Sequence, residues 1–247
     1  MPDWLESRVV GRKQWNESLF SLEIEADLAA FRAGQFVRVA MDIDGERVGR
    51  PYSLVNPPGE RRLEIHFNEV PEGPLSPRLS QLETGERIWV SSRASGAFTL
   101  DKVPECEDLW LFATGTALGV YLSILGTEAP WSRFRRIFLV HGARHVRDLA
   151  YTETLEALRA RYGKQFAYAR ATSREPGQGV YTGRITDLIS RGVVESDMGA
   201  VISPGHSHVM LCGNSAMIGE MSGLLGERGM HRNTARQPGH FTTEQYH

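Results

Sequence analysis

Leu109-Trp110-Leu111-Phe112-Ala113-Thr114-Gly115-Thr116 decides the fold of this chain. An unbroken apolar run enters a Thr-Gly-Thr turn, and such a run suits a strand buried on both faces of a parallel sheet. Ile137-Phe138-Leu139-Val140 and Val209-Met210-Leu211-Cys212 repeat the pattern, the last followed by Gly213-Asn214. A further strand is expected from Phe166 to Ala171. Helical patterns lie between the runs. Leu155, Leu158 and Tyr162 share one helical face, as do Met217, Met221, Leu224 and Leu225. Strands alternating with helices predict an open α/β sheet.

Upstream the period changes to two. Phe20, Leu22 and Ile24 alternate with Ser21, Glu23 and Glu25. Val37, Val39 and Met41 alternate with Arg38, Ala40 and Asp42, and Leu63, Ile65 and Phe67 with Glu64, His66 and Asn68. This marks strands with one buried face. Ala33-Gly34, Asp44-Gly45, Pro57-Pro58-Gly59 and Thr84-Gly85 supply the turns. A small antiparallel barrel is expected, with one short helix around Ser76 to Leu82. The junction falls in Asp101 to Asp108, giving two domains, residues 1–101 and 102–247.

The 247 residues, 41% of them hydrophobic, suffice for two real cores. A net charge of -2 gives no electrostatic case for a general nucleic-acid or membrane binder. Two cysteines, Cys106 and Cys212, are too few for a disulfide framework or a four-Cys iron–sulfur cluster. The apolar runs fall short of a membrane span. The acidic opening, Met1-Pro2-Asp3-Trp4-Leu5-Glu6, does not look like a signal peptide, so a reducing cytoplasm is expected.

Chemistry gathers at Arg50-Pro51-Tyr52-Ser53. A strand end bearing these residues offers a cation for a phosphate, a flat ring for a flat cofactor and a donor for a ring nitrogen. A dinucleotide with a fused aromatic ring, such as FAD, needs all three, although an ordinary strand end with a half-buried Tyr has the same sequence. Thr114-Gly115-Thr116-Ala117-Leu118-Gly119 follows a buried strand and should open a helix, where backbone N–H groups receive a phosphate. A plain strand-to-helix turn reads the same way. Arg144, Arg174 and Arg184 fall at corresponding loop ends, where guanidinium groups would grip a phosphate such as the 2′-phosphate of an adenosine. Each alone is otherwise a solvated charge. His208 shares a strand and a side with Cys212 but lies ~13 Å away, too far to activate it as a nucleophile. The eight histidines show no zinc-ligand spacing, and the His206/His208 pair lacks further ligands.

Taken in order along the chain, these residues resemble the bacterial ferredoxin(flavodoxin)–NADP⁺ reductases, the short enterobacterial-type subgroup in particular. The resemblance runs through Ala33-Gly34-Gln35-Phe36, Arg50 to Asn56, Leu75-Ser76-Pro77-Arg78-Leu79, Ala113 to Ala117, His141-Gly142-Ala143-Arg144, Val209 to Asn214, Pro238-Gly239-His240 and the Glu-x-Tyr ending at Glu244 and Tyr246. It implies an FAD-binding antiparallel barrel followed by an NADP-binding α/β domain. Arg50 and Pro51 would lie at the FAD pyrophosphate, Tyr52 on the isoalloxazine and Ser53 near N5. His66, Phe67 and Asn68 would line the flavin, and Pro74, Leu75 and Ser76 would hold phosphate. Thr116 would reach both cofactors, and Ala143, Arg144, Ser173, Arg174, Arg184 and Asn214 would meet NADP(H). Tyr246 would cover the flavin where nicotinamide must lie, with Cys212 and Glu244 close to the hydride path. Val120 stands where the family commonly has proline, and His247 where the subgroup ends in a Trp over the adenine.

The expected activity is hydride transfer between nicotinamide C4 and flavin N5, with single electrons passed to ferredoxin or flavodoxin. The chain is expected to act as a monomer, with no nucleic-acid or membrane partner. The same motifs leave open a reductase of free flavin or ferric chelates, and a non-catalytic FAD-binding redox sensor.

Overall fold

The computed structural model describes residues 3–234 and 236–246. The chain divides into two compact units, one of residues 1–100 and 119–127, the other of residues 101–118 and 128–247.

The first unit contains β1 (Trp4–Gln14), β2 (Leu19–Glu25), β3 (Phe36–Ile43), β4 (Glu46–Ser53), β5 (Arg62–Asn68), α1 (Ser76–Leu79) and β6 (Arg87–Ser91). All strand pairs are antiparallel, in the order β4-β3-β6-β1-β2-β5. The chain just beyond β4 closes the barrel: Leu54 bridges Ile65, and Val55 N–H donates to the Glu64 carbonyl at 2.8 Å. Alternation fixes what faces in: Leu22, Ile24, Val39, Ile65 and Val90 are fully buried. The β3–β4 hairpin turns on Asp44 (φ 51°) and Gly45 (φ 85°). Two positive φ values make a turn whose twist matches its flanking strands.

The period-two pattern missed β1 and β6. In β1 the register slips between Val9 and Gly11, a bulge that breaks the alternation. Ser21 and Ala40, which alternation places outward, are buried. Trp15 Nε1 donates to the Ser21 hydroxyl at 2.9 Å, which explains a buried Ser. α1 is shorter than expected, although bonds from Gln81 N to Arg78 O and from Leu82 N to Leu79 O carry the coil on to Leu82. α2 (Leu118–Leu125) packs here over residues 119–125, its Ser123 hydroxyl donating to the Asn56 carbonyl at 2.8 Å.

The second unit holds β7 (Asp108–Thr114), α3 (Ala129–Arg133), β8 (Arg136–Ala143), α4 (Thr152–Tyr162), β9 (Phe166–Thr172), β10 (Tyr181–Thr182), α5 (Ile185–Ser190), α6 (Val193–Met198), β11 (Ser207–Gly213), α7 (Ser215–Glu227) and β12 (Phe241–Gln245). The six strands are all parallel, in the order β10-β9-β8-β7-β11-β12. From β7 the chain winds outward through β8 to β9 and β10, then returns to the other side of β7 with β11 and β12. The order therefore reverses between β7 and β11, and the carboxyl ends of these two strands flank the crevice where such sheets bind ligands. The near-continuous burial of β7, β8 and β11 follows from helices on both faces. β12 is a strand the sequence pattern did not give: Thr242, Thr243 and Glu244 carry no apolar alternation, yet they pair with Met210, Leu211 and Cys212.

A buried ion pair ties α6 to the end of α7. The Glu195 carboxylate, 6% exposed, accepts from Arg228 Nη1 at 2.8 Å, from Arg228 Nη2 at 2.9 Å and from Ile202 N–H at 2.7 Å. Removing one partner of such a pair strands the other charge. Glu195→Ala is expected to destabilise this unit by about 3 kcal/mol, seen as a lower melting temperature.

Candidate active site

In the first unit the site residues gather around the end of β4. That strand ends the hydrogen-bonded order beside β3, so Pro51, which has no N–H to donate, is tolerated there opposite Arg38. Along β4 Arg50 is exposed, Tyr52 half-buried and Ser53 buried. Tyr52 meets the edge of Phe67 with ring centroids 5.8 Å apart at 71°. Burial pushes the Tyr52 hydroxyl up to about 12, with Arg50 pulling the other way, so it stays protonated at neutral pH. One strand over, His66 is tied down: its Nδ1 lies 3.0 Å from the Phe20 carbonyl and 3.0 Å from the Ser21 hydroxyl. A carbonyl only accepts, so Nδ1 carries the proton in this arrangement. Phe67 joins the barrel core and Asn68 is exposed. Pro74, Leu75 and Ser76 form the entry to α1. Leu75 is buried, the Pro74 carbonyl accepts from Arg78 Nη1 at 2.9 Å, and the Ser76 hydroxyl accepts from Val70 N–H at 2.9 Å. Pro77 has no N–H, and the Arg78 and Leu79 N–H groups each bond the Leu75 carbonyl at 3.0 Å, so a phosphate contact here falls to the backbone of Leu75 and Ser76. An exposed guanidinium, a protonated half-buried ring, a strand-end hydroxyl and a helix start thus fit a flavin dinucleotide.

The second unit's site is built at the switch point. The Thr114 hydroxyl, at the end of β7, accepts from Asn214 N–H at 3.0 Å and from Asn214 Nδ2 at 3.2 Å. Asn214 Oδ1 accepts from Met217 N–H at 2.9 Å and so caps α7. Between the turns, Gly213 has φ 147°, and a Cβ added there would sit 2.0 Å from Thr114 Oγ1. Only glycine fits. Gly115 (φ 56°) leaves open space where its Cβ would be, as a phosphate-receiving turn requires. Its carbonyl accepts from His141 Nε2 at 3.1 Å. His141 is buried on β8, and burial holds it down at about 4, so it is neutral at pH 7. Thr116 follows, half-buried, at the start of the helical turn.

Parallel pairing sets Cys212 beside Glu244, and Tyr246 N–H donates to the Gly213 carbonyl at 2.9 Å. Burial raises the Cys212 thiol far above its usual range, the Glu244 carboxylate adds to this, and a hydrogen bond with Tyr246 opposes it. Cys212 is therefore a neutral thiol. Burial also raises Glu244, to about 7. The His247 position lies outside the described residues.

The β8–β9 ladder continues past both strands. Ser173 N–H donates to the Ala143 carbonyl at 3.1 Å and Arg174 N–H to the Arg144 carbonyl at 3.0 Å, which brings Arg144 and Arg174 onto adjoining loops. Arg184 starts α5 just beyond β10, its Nη1 3.6 Å from Glu220 Oε1. Thr114, His141 and Glu220 escaped the sequence reading. The first two stand inside motifs that were seen, but their roles depend on strand neighbours that pairing alone reveals.

Two known domain families match the two units. Residues 10–98 match the oxidoreductase FAD-binding domain and residues 111–222 the oxidoreductase NAD-binding domain. The class is therefore a two-module oxidoreductase that pairs a flavin-binding barrel with a nucleotide-binding α/β unit. The flavodoxin/ferredoxin–NADP reductases of Escherichia coli (strain K12) and Shigella flexneri are each 45% identical to this chain over 247 residues, covering 100% of both sequences. Ferredoxin–NADP reductase A of Sorangium cellulosum is 33% identical over 99% of this chain and 90% of its own. In fold, a ferredoxin NADP⁺ reductase from Neisseria gonorrhoeae, solved with FAD and NADP, superposes with a TM-score of 0.94 over 99% of each chain, at 24% identity. The chain belongs to the flavodoxin/ferredoxin–NADP reductase family.

Thr114→Val, which keeps the shape but not the oxygen, should destabilise the second unit by about 1–2 kcal/mol, and Thr114→Ser should recover most of it in thermal melting. Glu244 carries a pH signature. Its folded pKa, about 7, lies above its ordinary 4.5, so the native state holds the proton longer. Its contribution is fullest below the ordinary value and is lost as pH rises through about 7. Melting of the wild type should therefore fall relative to Glu244→Gln across that window; parallel curves would contradict the shift.

Proposed function

We propose that this chain passes electrons between NADP(H) and ferredoxin or flavodoxin, with FAD held by the first unit and NADP(H) by the second. The full-length 45% identity to flavodoxin/ferredoxin–NADP reductases carries this conclusion. Bound FAD supplies the exchange between two-electron hydride chemistry and one-electron protein partners. The protein's own groups bind, orient and manage charge.

Arg50 would hold the FAD pyrophosphate, and Pro74, Leu75 and Ser76 before α1 would supply a second phosphate contact. Tyr52, a neutral phenol at pH 7, would hold the isoalloxazine by stacking, with Ser53 as a hydrogen-bond donor toward its N5 and residues 66–68 lining it. Thr116 bonds at the turn that receives the nicotinamide nucleotide. Arg144, Ser173 and Arg174 grip the adenosine 2′-phosphate, supported by the ladder that joins their loops. Arg184 extends that charge from the next loop. Asn214 acts through the α7 cap, since its carboxamide is engaged with Thr114 and Met217. Tyr246 would shield the flavin face to which the nicotinamide must come. The neutral Cys212 thiol adds packing without negative charge, so it does not repel a hydride in transit. Glu244, poised at about 7, can hold or release a proton as flavin charge changes.

Both cysteines are free, which suits a reducing compartment, and we place the protein in the cytoplasm. One chain supplies every role above, so we take the monomer as the working unit. Among the described residues no helix is long and apolar enough to cross a membrane.

Steady-state turnover with NADPH should favour ferredoxin or flavodoxin over free FMN or ferric chelates; the reverse preference would make the protein a flavin or ferric reductase. Replacing Arg174 and Arg184 with Ala should raise the KM for NADPH by about tenfold or more while leaving NADH use little changed. Equal losses would remove the 2′-phosphate assignment.

A further inference from the structure

We propose that Glu175 is a positioning residue for coenzyme recognition, locking the two loops that carry Arg144 and Arg174 into one phosphate-binding surface. This rests on the 2′-phosphate reading given above. Arg144 and Arg174 lie on separate loops, and two long exposed side chains on independent loops would lose much freedom on gripping a ligand. The backbone ladder joins the loops as far as Arg174, where Arg174 N–H meets the Arg144 carbonyl. Beyond that point the Glu175 side chain takes over. Its Oε1 accepts from Val146 N–H at 2.7 Å, and its Oε2 lies 3.4 Å from His145 Nδ1. The Glu175 carbonyl is held in turn by the Thr172 hydroxyl at 2.6 Å. Val146 also packs on the same loop: a Cβ at Gly177 would lie 2.7 Å from Val146 Cγ2. One side chain thus spans from the end of β9 to the loop after β8.

Charge supports the assignment. Both oxygens of Glu175 are turned to the loop after β8, Oε1 to Val146 N–H and Oε2 to His145. The Val146 N–H pulls the Glu175 carboxyl below its usual range, with His145 and Arg147 adding to the pull against modest desolvation, so it remains an anion at neutral pH. Arg147 adds its charge to that of the neighbouring loops, which carry Arg144 and Arg174. The acid is a brace inside a basic surface. It acts through the arginines and needs no contact with the coenzyme.

The test compares Glu175→Ala, Glu175→Gln and Arg174→Ala in the FAD-loaded protein. It reads KM and kcat with NADPH and with NADH, calorimetric binding of adenosine 2′,5′-bisphosphate, and melting temperature as a check on folding. Glu175→Ala should raise the NADPH KM and weaken bisphosphate binding by about tenfold, with kcat and the NADH KM within about twofold of wild type. Glu175→Gln keeps an oxygen for Val146 N–H and should recover most of the loss. Should Glu175→Ala melt early, Glu175→Asp, one methylene too short for the span, carries the same test. If Arg174→Ala weakens bisphosphate binding while Glu175→Ala and Glu175→Asp do not, or if they harm NADPH and NADH use alike, Glu175 is not the positioning residue and the arginine clamp stands. If Arg174→Ala itself leaves bisphosphate binding unchanged, the clamp and the brace fall together.

Discussion

The second unit depends on one hydroxyl. Thr114 Oγ1 stands at the end of β7 and accepts two hydrogen bonds from Asn214 at the end of β11, across the point where the strand order reverses. A parallel sheet brings the carboxyl ends of neighbouring strands to one edge, but it does not fix the loops beyond them. Here the fixing is done by a side chain. The price is a glycine at position 213, because any Cβ would collide with the same oxygen. Asn214 in turn caps α7, so the turn after β7, the turn after β11 and the helix behind them form one connected unit. His141 adds a third strand by holding the Gly115 carbonyl from β8.

Beside that frame burial sets the charge of two groups. Cys212 is buried as a thiol, and Glu244 sits close to the point where it loses its proton. Both shifts come first from desolvation, and β12 seats Glu244 beside Cys212 by parallel pairing. The cationic part lies further out, past β8 and β9, where Arg144 and Arg174 are joined through backbone and through Glu175. One edge of one sheet therefore carries a titratable carboxylate beside a neutral thiol near β11 and β12, and a basic group of loops past β8 and β9.

Much of this was legible in the sequence, for physical reasons. Strands buried on both faces must be apolar throughout, so β7, β8 and β11 announced themselves as runs. β2, β3 and β5 were visible by alternation, although Ser21, Ala40 and His66 at outward positions are buried. β1 stayed hidden because its bulge breaks the period, and β12 because a short strand at the sheet's end carries polar residues. The site divided the same way. Arg50, Tyr52 and the three arginines were visible because their chemistry is specific to ligands. Thr114 and Glu175 act on other parts of the protein, and residues 114 and 214, a hundred positions apart, are brought together by the pairing of β7 with β11. A short motif records what a ligand needs; the groups that hold the motif in place are written in strand order.

Rapid mixing of the FAD-loaded protein with NADPH, followed at the flavin absorption band, tests the central claim most directly. A fast loss of that absorption, much slower with NADH at equal concentration, is the result predicted here. A protein that takes up no FAD, or whose bound flavin keeps its absorption when NADPH is added, would contradict it.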